Sequence, residues 1–374
     1  MTGMKERIMQ LVKKDTILVV SGLLMLLSLF FVVPDKEYVH YVNYRVLAIL
    51  FSLMLVVGAL DRIGTFRYLT SRLLGRIHSE RSISLFLTLL AFFLSMLLTN
   101  DVALVTLVPF ALLLLSAFGD RRRTVYTLIL MTVGANLGSM LTPIGNPQNL
   151  YLYTEYHFSL SGFFRLMLPY SLTALILLIL AVFLLNRTDQ HEDTAAVSKH
   201  PRPEPGRLTA YLILFTLCLF TVAGALPYWI MLAAVSLFVF LLDRGAFRKV
   251  DYSLLLTFVF FFILIGNLGR IPAIRDTLTG IVDRHTVLTA VLSSQVISNV
   301  PAAMLLSAFT GRGSDLVIGA NLGGLGTLIA SMASLITYKF HAREKQPGDR
   351  YLLRFTIINL LFLAVLFGLF LLIG

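Results

Sequence analysis

GANLGSMLTPIGNPQNLYLY, residues 134–153, interrupts a very apolar chain with three glycines, two prolines and three asparagines, and its reading decides the fold. Glycine and proline in a helix interior cost stability, and proline also removes a backbone hydrogen bond. Non-helical backbone at membrane depth is tolerated only where protein or a water-lined cavity satisfies its polar groups. The stretch therefore predicts a membrane helix broken for a purpose.

Outward from it, the chain reads as a membrane protein. Of 374 residues 57% are hydrophobic and 14% charged, where a soluble domain carries roughly a quarter charged. Apolar spans of the length needed to cross about 30 Å fall at 16–33, 45–61, 126–155 (broken), 162–186, 208–224, 228–242, 251–269, 314–338 (broken) and 351–373. The first follows MTGMKERIMQLVKKD; its 18 apolar residues exceed a signal-peptide core of roughly 7–15, and it reads as a retained helix. Lys and Arg fall between spans rather than on one face, which excludes a nucleic-acid surface. Segments 1–15, 62–81, 119–125, 187–207, 243–250 and 339–350 hold 23 of the 31 basic residues. That bias sets the N-terminus in the cytoplasm and the C-terminus outside, as nine crossings require. TFRYLTSRLLGRIHSER (65–81) reads as a surface amphipathic helix. The polar segment 187–207 is a cytoplasmic linker between halves 1–186 and 208–374. Asp61 beside Arg62 reads as a surface pair or a cap. His157 and His285 read as solvated ends, and the lone Cys218 excludes a disulfide.

The halves repeat. GALDRIG (58–64) matches GNLGRIP (266–272), and LTNDVALVTLVPF (98–110) matches ISNVPAAMLLSAF (297–309). The opening stretch matches GANLGGLGTLIASMASLITY (319–338), sharing Thr142 with Thr327 and Tyr153 with Tyr338. Four full crossings separate the first pair, so the copies run in opposite directions, as in inverted-repeat transporters. Stretch 286–310 has arms of about 13 and 11 residues, roughly 20 Å at 1.5 Å per residue, too short to span. By symmetry 82–118 and 286–310 are both expected to be re-entrant hairpins whose tips meet near the midplane. The fold class expected is all-α and polytopic, with two hairpins and two broken helices.

Broken helices leave N–H and C=O groups free for anions and cations respectively. Asn100, Asn136, Asn146, Asn149, Asn299 and Asn321 add amides at the same depth, and the Gly145–Asn149 segment, with Gln148, reads as ligand-contacting. The GANLG glycines alone serve helix packing equally well. Asp101 is the acid nearest the midplane; it can bind Na⁺, carry a proton or cap the second hairpin arm. Its counterpart is Val300, so the half-sites differ chemically. P-loop, nucleophile-elbow and metal spacings are absent from the sequence, which argues against an enzyme and any organic cofactor.

At these motifs the chain resembles the ion transporter superfamily, which includes divalent-anion/sodium symporters, citrate permeases and arsenite-pump membrane proteins. In the symporter branch both tips usually read Ser-Asn-Thr and contact substrate carboxylates. The resemblance thus implies substrate contacts at Thr99, Asn100, Ser298 and Asn299, with Asn146, Gln148, Asn149 and Thr327 beside them. It implies coupling-ion contacts at Asn100, Asp101, Asn136, Thr142, Gly145, Asn299, Asn321 and Gly326. It further implies a homodimer with an elevator-like moving domain in a prokaryotic inner membrane. Asp101 and Val300 depart from the symporter pattern and shift weight toward the arsenite or proton-coupled branches. Three functions follow: anion transport coupled to Na⁺ or H⁺, cation/proton antiport through Asp101, and proton-driven efflux of arsenite or another neutral oxyacid. A receptor or assembly subunit would not need two midplane breaks.

Overall fold

The computed structural model describes residues 16–74, 79–116, 120–185, 201–343 and 350–373. The expected linker therefore lies outside the described residues up to 200, as do segment 1–15 and part of the surface helix at 65–81. Every regular element among the described residues is a helix. The chain opens with α1 (Thr16–Ser28), α2 (Tyr38–Tyr41), α3 (Tyr44–Arg62) and α4 (Thr65–Leu74). The expected first hairpin is α5 (Glu80–Leu94) and α6 (Asn100–Ser116), and the first broken segment is α7 (Arg121–Ser139) and α8 (Pro147–Glu155). Then come α9 (Leu160–Leu185), α10 (Pro205–Val222), α11 (Tyr228–Leu242), α12 (Tyr252–Gly269) and α13 (Pro272–Val282). The second hairpin is α14 (Thr286–Ile297) and α15 (Asn299–Ser307), and the second broken segment is α16 (Gly313–Leu322) and α17 (Met332–Arg343). α18 (Tyr351–Ile373) closes the chain. From α3 to α9 and again from α12 to α18 the order is the same: long helix, short helix, tip-joined pair, broken pair, long helix.

Local chemistry sets the starts. Asn43, Ser79, Asp120, Asn146 and Asp251 cap α3, α5, α7, α8 and α12, each side chain accepting a first-turn N–H. Such caps are worth about 1 kcal/mol each. α3, α9, α10, α12 and α18 are long and apolar enough to cross a membrane. Leu353, Leu361, Val365, Leu371 and Leu372 of α18 are all exposed, an apolar face running the length of the helix that suits lipid rather than water. α1 ends at Ser28, short of the expected residue 33, and the chain continues in turns (Phe30 N–H to Leu27 O, Val32 N–H to Ser28 O).

The helices form two groups. α1 packs on α12, and α3 packs on α10 and α11. The tip-joined and broken helices pack with one another and with α9 and α18. The groups meet where α3 touches α8, where α12 touches α15, and where Tyr151 of α8 packs on Phe258 and Phe262 of α12. Glycines set the approach inside the second group. A Cβ on Gly138 would run into the Phe92 carbonyl of α5, and one on Gly134 would stand 3.0 Å from Thr88 O. In the second copy a Cβ on Gly319 would meet Val287 Cα at 2.9 Å, and one on Gly323 would meet Ser294 Cβ at 2.8 Å. The two glycines of each GANLG are therefore a four-residue packing stripe against their own hairpin's first arm.

Ion pairs tie the ends. Arg62 Nε pairs with Asp243 Oδ2 at 2.6 Å and Lys249 Nζ with Asp61 Oδ2 at 3.1 Å. The adjacent Asp61 and Arg62 thus bind the segment after α11 rather than each other, because side chains one apart on a helix diverge. At the other end of α3, Arg45 donates to Thr221 O (3.3 Å), and nearby Arg270 pairs with Asp35 (2.7 Å). Arg123 at the start of α7 is buried and pairs with Glu80 and, at 2.9 Å, with Asp120, fastening the foot of the first hairpin. His157 and His285 are exposed, and Cys218 is free and buried.

Candidate functional site

The first tip is Met96–Thr99, ending where α6 begins at Asn100; the first break is Met140–Asn146. The tip is sewn to the break. Asn100 N–H donates to Gly145 O (3.1 Å), and Thr142 Oγ1 donates to Met96 O (2.5 Å). Gly145 must be glycine, since any Cβ would collide with the Ser139 backbone. α8 restarts through Asn146-Pro147: Asn146 Oδ1 accepts the Asn149 N–H (2.8 Å), and Pro147 sits at the first helical position, where a missing N–H costs nothing. Asn149 Nδ2 donates to Ser139 O (3.3 Å), Met140 O (3.3 Å) and Thr142 O (3.2 Å), the carbonyls that the end of α7 frees.

The second tip is Ser298 alone, at φ 72° and ψ 154°, a region that side chains other than glycine avoid. Its Oγ donates to Ala330 O at 3.4 Å. The second break runs Gly323–Thr327, with Gly326 at φ 108°. Gln295, one helical turn before the tip, holds it. Its Nε2 donates to Gly323 O (3.0 Å) and Leu325 O (2.9 Å), while its Oε1 accepts the Thr327 N–H (2.9 Å).

The two copies cross-link through the asparagine of each GANLG. Asn136 Oδ1 accepts from Asn100 Nδ2 (3.0 Å) and Ser331 Oγ (3.0 Å), and its Nδ2 donates to Gly324 O (3.4 Å). Asn321 Oδ1 accepts from Asn146 Nδ2 (3.2 Å), and its Nδ2 donates to Asn149 Oδ1 (2.7 Å). Each therefore bonds the break of the other copy. Asn146 Nδ2 also donates to Ser139 Oγ (3.1 Å).

Asn100, Asn136, Asn146, Asn149 and Asn321 thus form one buried network with Thr142 and Gly145 at its edge. Gln148 and Asn299 are buried beside it, Thr99 is half-buried at its tip, and Thr327 is exposed on the second break. Asp101 lies in the first turn of α6, and its backbone N–H bonds Asn100 Oδ1 (3.0 Å). Its carboxylate Oδ1 is buried and has no hydrogen-bond partner among the described residues. Beside Ser298, Val300 and Pro301 a crevice of about 20 Å³ opens against Asp251 and Thr257 of the α12 start, room for one water-sized occupant. Sequence reasoning missed Gln295, Ser139 and Ser331. Gln295 carried a signal, as an amide three residues before a tip in an otherwise apolar arm; the serines carried none.

Two tips and two interrupted helices meeting in a buried amide network define a many-helix membrane protein with a polar centre, the class in which transporters keep their substrates. Residues 7–311 match the protein family described as Citrate transporter. An uncharacterized transporter of Methanocaldococcus jannaschii, MJ0456, is 33% identical over 342 residues, 91% of this chain and 93% of that one. The inner membrane protein YbiR of Escherichia coli K12 is 31% identical over 84% of each chain. The silicon efflux transporter LSI3 of Oryza sativa subsp. japonica is 31% identical over 191 residues, half of this chain and 39% of that one. The chain belongs to the citrate transporter family, a family of multi-pass membrane transporters.

Proposed function

We propose that this protein is a secondary active transporter moving a small anion, a carboxylate or inorganic oxyanion, coupled to Na⁺ or H⁺. The observation that carries the reading is the convergence of the helix start at Asn100 and the two breaks on one buried amide network, with the buried helix start at Asn299 packed against Gly324 of the second break. Helix N-termini and amide donors favour an anion without a fixed cation, and residues 95–101, 134–153, 294–300 and 319–338 contain no Lys or Arg. Thr99, Asn100, Asn146, Gln148, Ser298, Asn299 and Thr327 are the proposed substrate side of this centre, and Asn149, whose amide is fully engaged by the protein, supports it from behind. Asp101 is the proposed seat of coupling, with the neighbouring amides supporting it.

The repeated element order is read as an inverted repeat, with both hairpins re-entrant and the second helix group sliding as a unit against the first. Support comes from the nature of the contact between the groups, apolar side chains of α3 and α12 against α8 and α15, a surface on which helices can slide. The second tip beside Asp251, on the basic and therefore cytoplasmic side, corresponds to an inward-facing arrangement. The protein is read as a homodimer of a prokaryotic inner membrane, with the N-terminus inside and the C-terminus outside. A second reading, proton-driven efflux of a neutral oxyacid, is favoured by the unpartnered Asp101 Oδ1 and by the likeness to a silicon efflux transporter.

The test is current recording from proteoliposomes on a solid-supported membrane after jumps of citrate, succinate, phosphate and sulfate, with and without Na⁺ and with a pH gradient. The expected result is a current for one anion that depends on one coupling ion. Uptake of full size without any ion gradient would overturn coupled transport. A current that requires both a pH gradient and added silicic or arsenous acid, with none for these anions, would select the second reading.

A further inference from the structure

Carbonyls freed where a helix stops inside a membrane are a ready seat for a cation. In this chain both sets are already engaged by amide nitrogens. At the first break Asn149 Nδ2 reaches the carbonyls of Ser139, Met140 and Thr142 at 3.2–3.3 Å. At the second, Gln295 Nε2 reaches those of Gly323 and Leu325 at 3.0 and 2.9 Å. Aligning the two GANLG motifs pairs Met140 with Leu325, so the two amides have one equivalent carbonyl in common, with its neighbours making up the rest of each cluster. They come from different places, however. Asn149 follows its break in α8, whereas Gln295 precedes its tip in α14, and the residue aligned with Gln295 is Met96, which has no amide. A shared ancestor of the halves does not account for the coincidence; a shared requirement does.

The orientation of both amides is fixed by their oxygens. Gln295 Oε1 accepts the Thr327 N–H at 2.9 Å, and Asn149 Oδ1 accepts from Asn321 Nδ2 at 2.7 Å. Flipping either group would set an oxygen against carbonyl oxygens. Each NH₂ therefore presents a partial positive charge to a carbonyl cluster, tethered to the chain and held in orientation by its own oxygen.

We infer that Gln295 and Asn149 are permanent occupants of the two carbonyl clusters, positioning residues standing where a sodium ion would otherwise sit, so that neither break binds sodium. The consequence for coupling rests on the transporter reading above, but the binding claim does not. It is tested on the purified full-length protein by thermal unfolding in detergent, in sodium chloride against choline chloride. An Asp101→Asn background removes the one carboxylate of the tips and breaks. That protein is expected to melt at the same temperature in both salts. Adding Gln295→Glu at alkaline pH turns a donor into a carboxylate among carbonyls, and a saturable, sodium-specific rise in melting temperature is expected. Asn149→Asp is the parallel variant at the first break, should Gln295→Glu not fold. A saturable, sodium-specific effect already present in Asp101→Asn, and altered in either direction by Gln295→Ala or Asn149→Ala, would overturn the inference. So would folded Gln295→Glu and Asn149→Asp proteins that are both indifferent to sodium. Failure of flux in proteoliposomes would count against transport and leave this binding result untouched.

Discussion

At Ser298 the chain holds a side chain in a backbone conformation that costs about 1–3 kcal/mol. Ser298→Gly relieves that strain, offset by the greater freedom of glycine in the unfolded chain. Unfolding of the purified variant is expected to show about 1 kcal/mol more stability, with transport reduced because the tip hydroxyl is lost; an unchanged or lower melting temperature would refute stored strain. Asn146 is the opposite case. Its side chain caps α8 and donates to both Ser139 and Asn321, so Asn146→Ala should cost about 2 kcal/mol. A double-mutant cycle with Asn321→Ala is expected to give a coupling of about 1 kcal/mol; additive effects would mean that the bond between the two copies carries no weight. The positions of these asparagines were legible in the sequence, because Asn-Pro at a helix start and Gly-Asn in an apolar run are local signals. Their partners were not. That Asn136 serves the second break and Asn321 the first depends on the packing of segments 185 residues apart in sequence, which no local pattern encodes. Gln295 escaped for a related reason: a single amide in an apolar arm declares its meaning only when the carbonyls of another helix surround it.

Between elements the decisive contacts are backbone to backbone. Gly138 lies against Phe92 of α5, and Gly323 against Ser294 of α14. The sequence left two readings of the GANLG glycines open, helix packing or ligand contact, and the observed stripe selects packing. It follows that Gly138→Ala should force α7 away from α5, at about 1–3 kcal/mol for overpacking. Gly323→Ala should do the same to α16 and α14. Both are expected to lower the melting temperature in detergent. Gly206→Ala in the first turn of α10, where a Cβ meets nothing within 4 Å, serves as the control and should hold or slightly raise it. Equal melting of all three would show that the helices have room to spare. The same logic explains which element boundaries were readable. The breaks carry Gly, Pro or Asn and each tip is followed at once by Asn, which marks their places to within a few residues, whereas the end of α1 at Ser28 falls inside the apolar run LLSLFFVV, where composition gives no stop signal.

Over the whole molecule, charge separates two ends. Asp61, Arg62, Asp243 and Lys249 interlock at one end of α3; Asp35 and Arg270 pair near the other. Burial alone would raise the Asp243 pKa, but the Arg62 hydrogen bond, the Gly245 N–H and the Arg62 charge outweigh it and hold the carboxyl below its usual range. A carboxylate depressed in the folded state contributes stability that is complete above its unfolded pKa, about 3.9, and is lost as pH falls through the folded value. The Arg62 bridge should therefore persist through mild acid and fail only in strong acid, and Asp243→Asn should flatten that acid limb of the stability curve. The two ends also make a topological claim that chemistry in intact cells can decide. The basic bias assigns Arg248 to the cytoplasm and Arg275 to the outside. Both are exposed, and the natural Cys218 is buried within α10, so single cysteines at these sites report cleanly against it. Arg275→Cys is expected to react with a membrane-impermeant maleimide added to cells, and Arg248→Cys only after the membrane is opened. The reverse pattern would invert the whole topology and, with it, the inward-facing assignment of the second tip. Labelling of both from outside would mean that α12, the one long helix between them, does not cross, and would remove the opposed orientation proposed for the two copies.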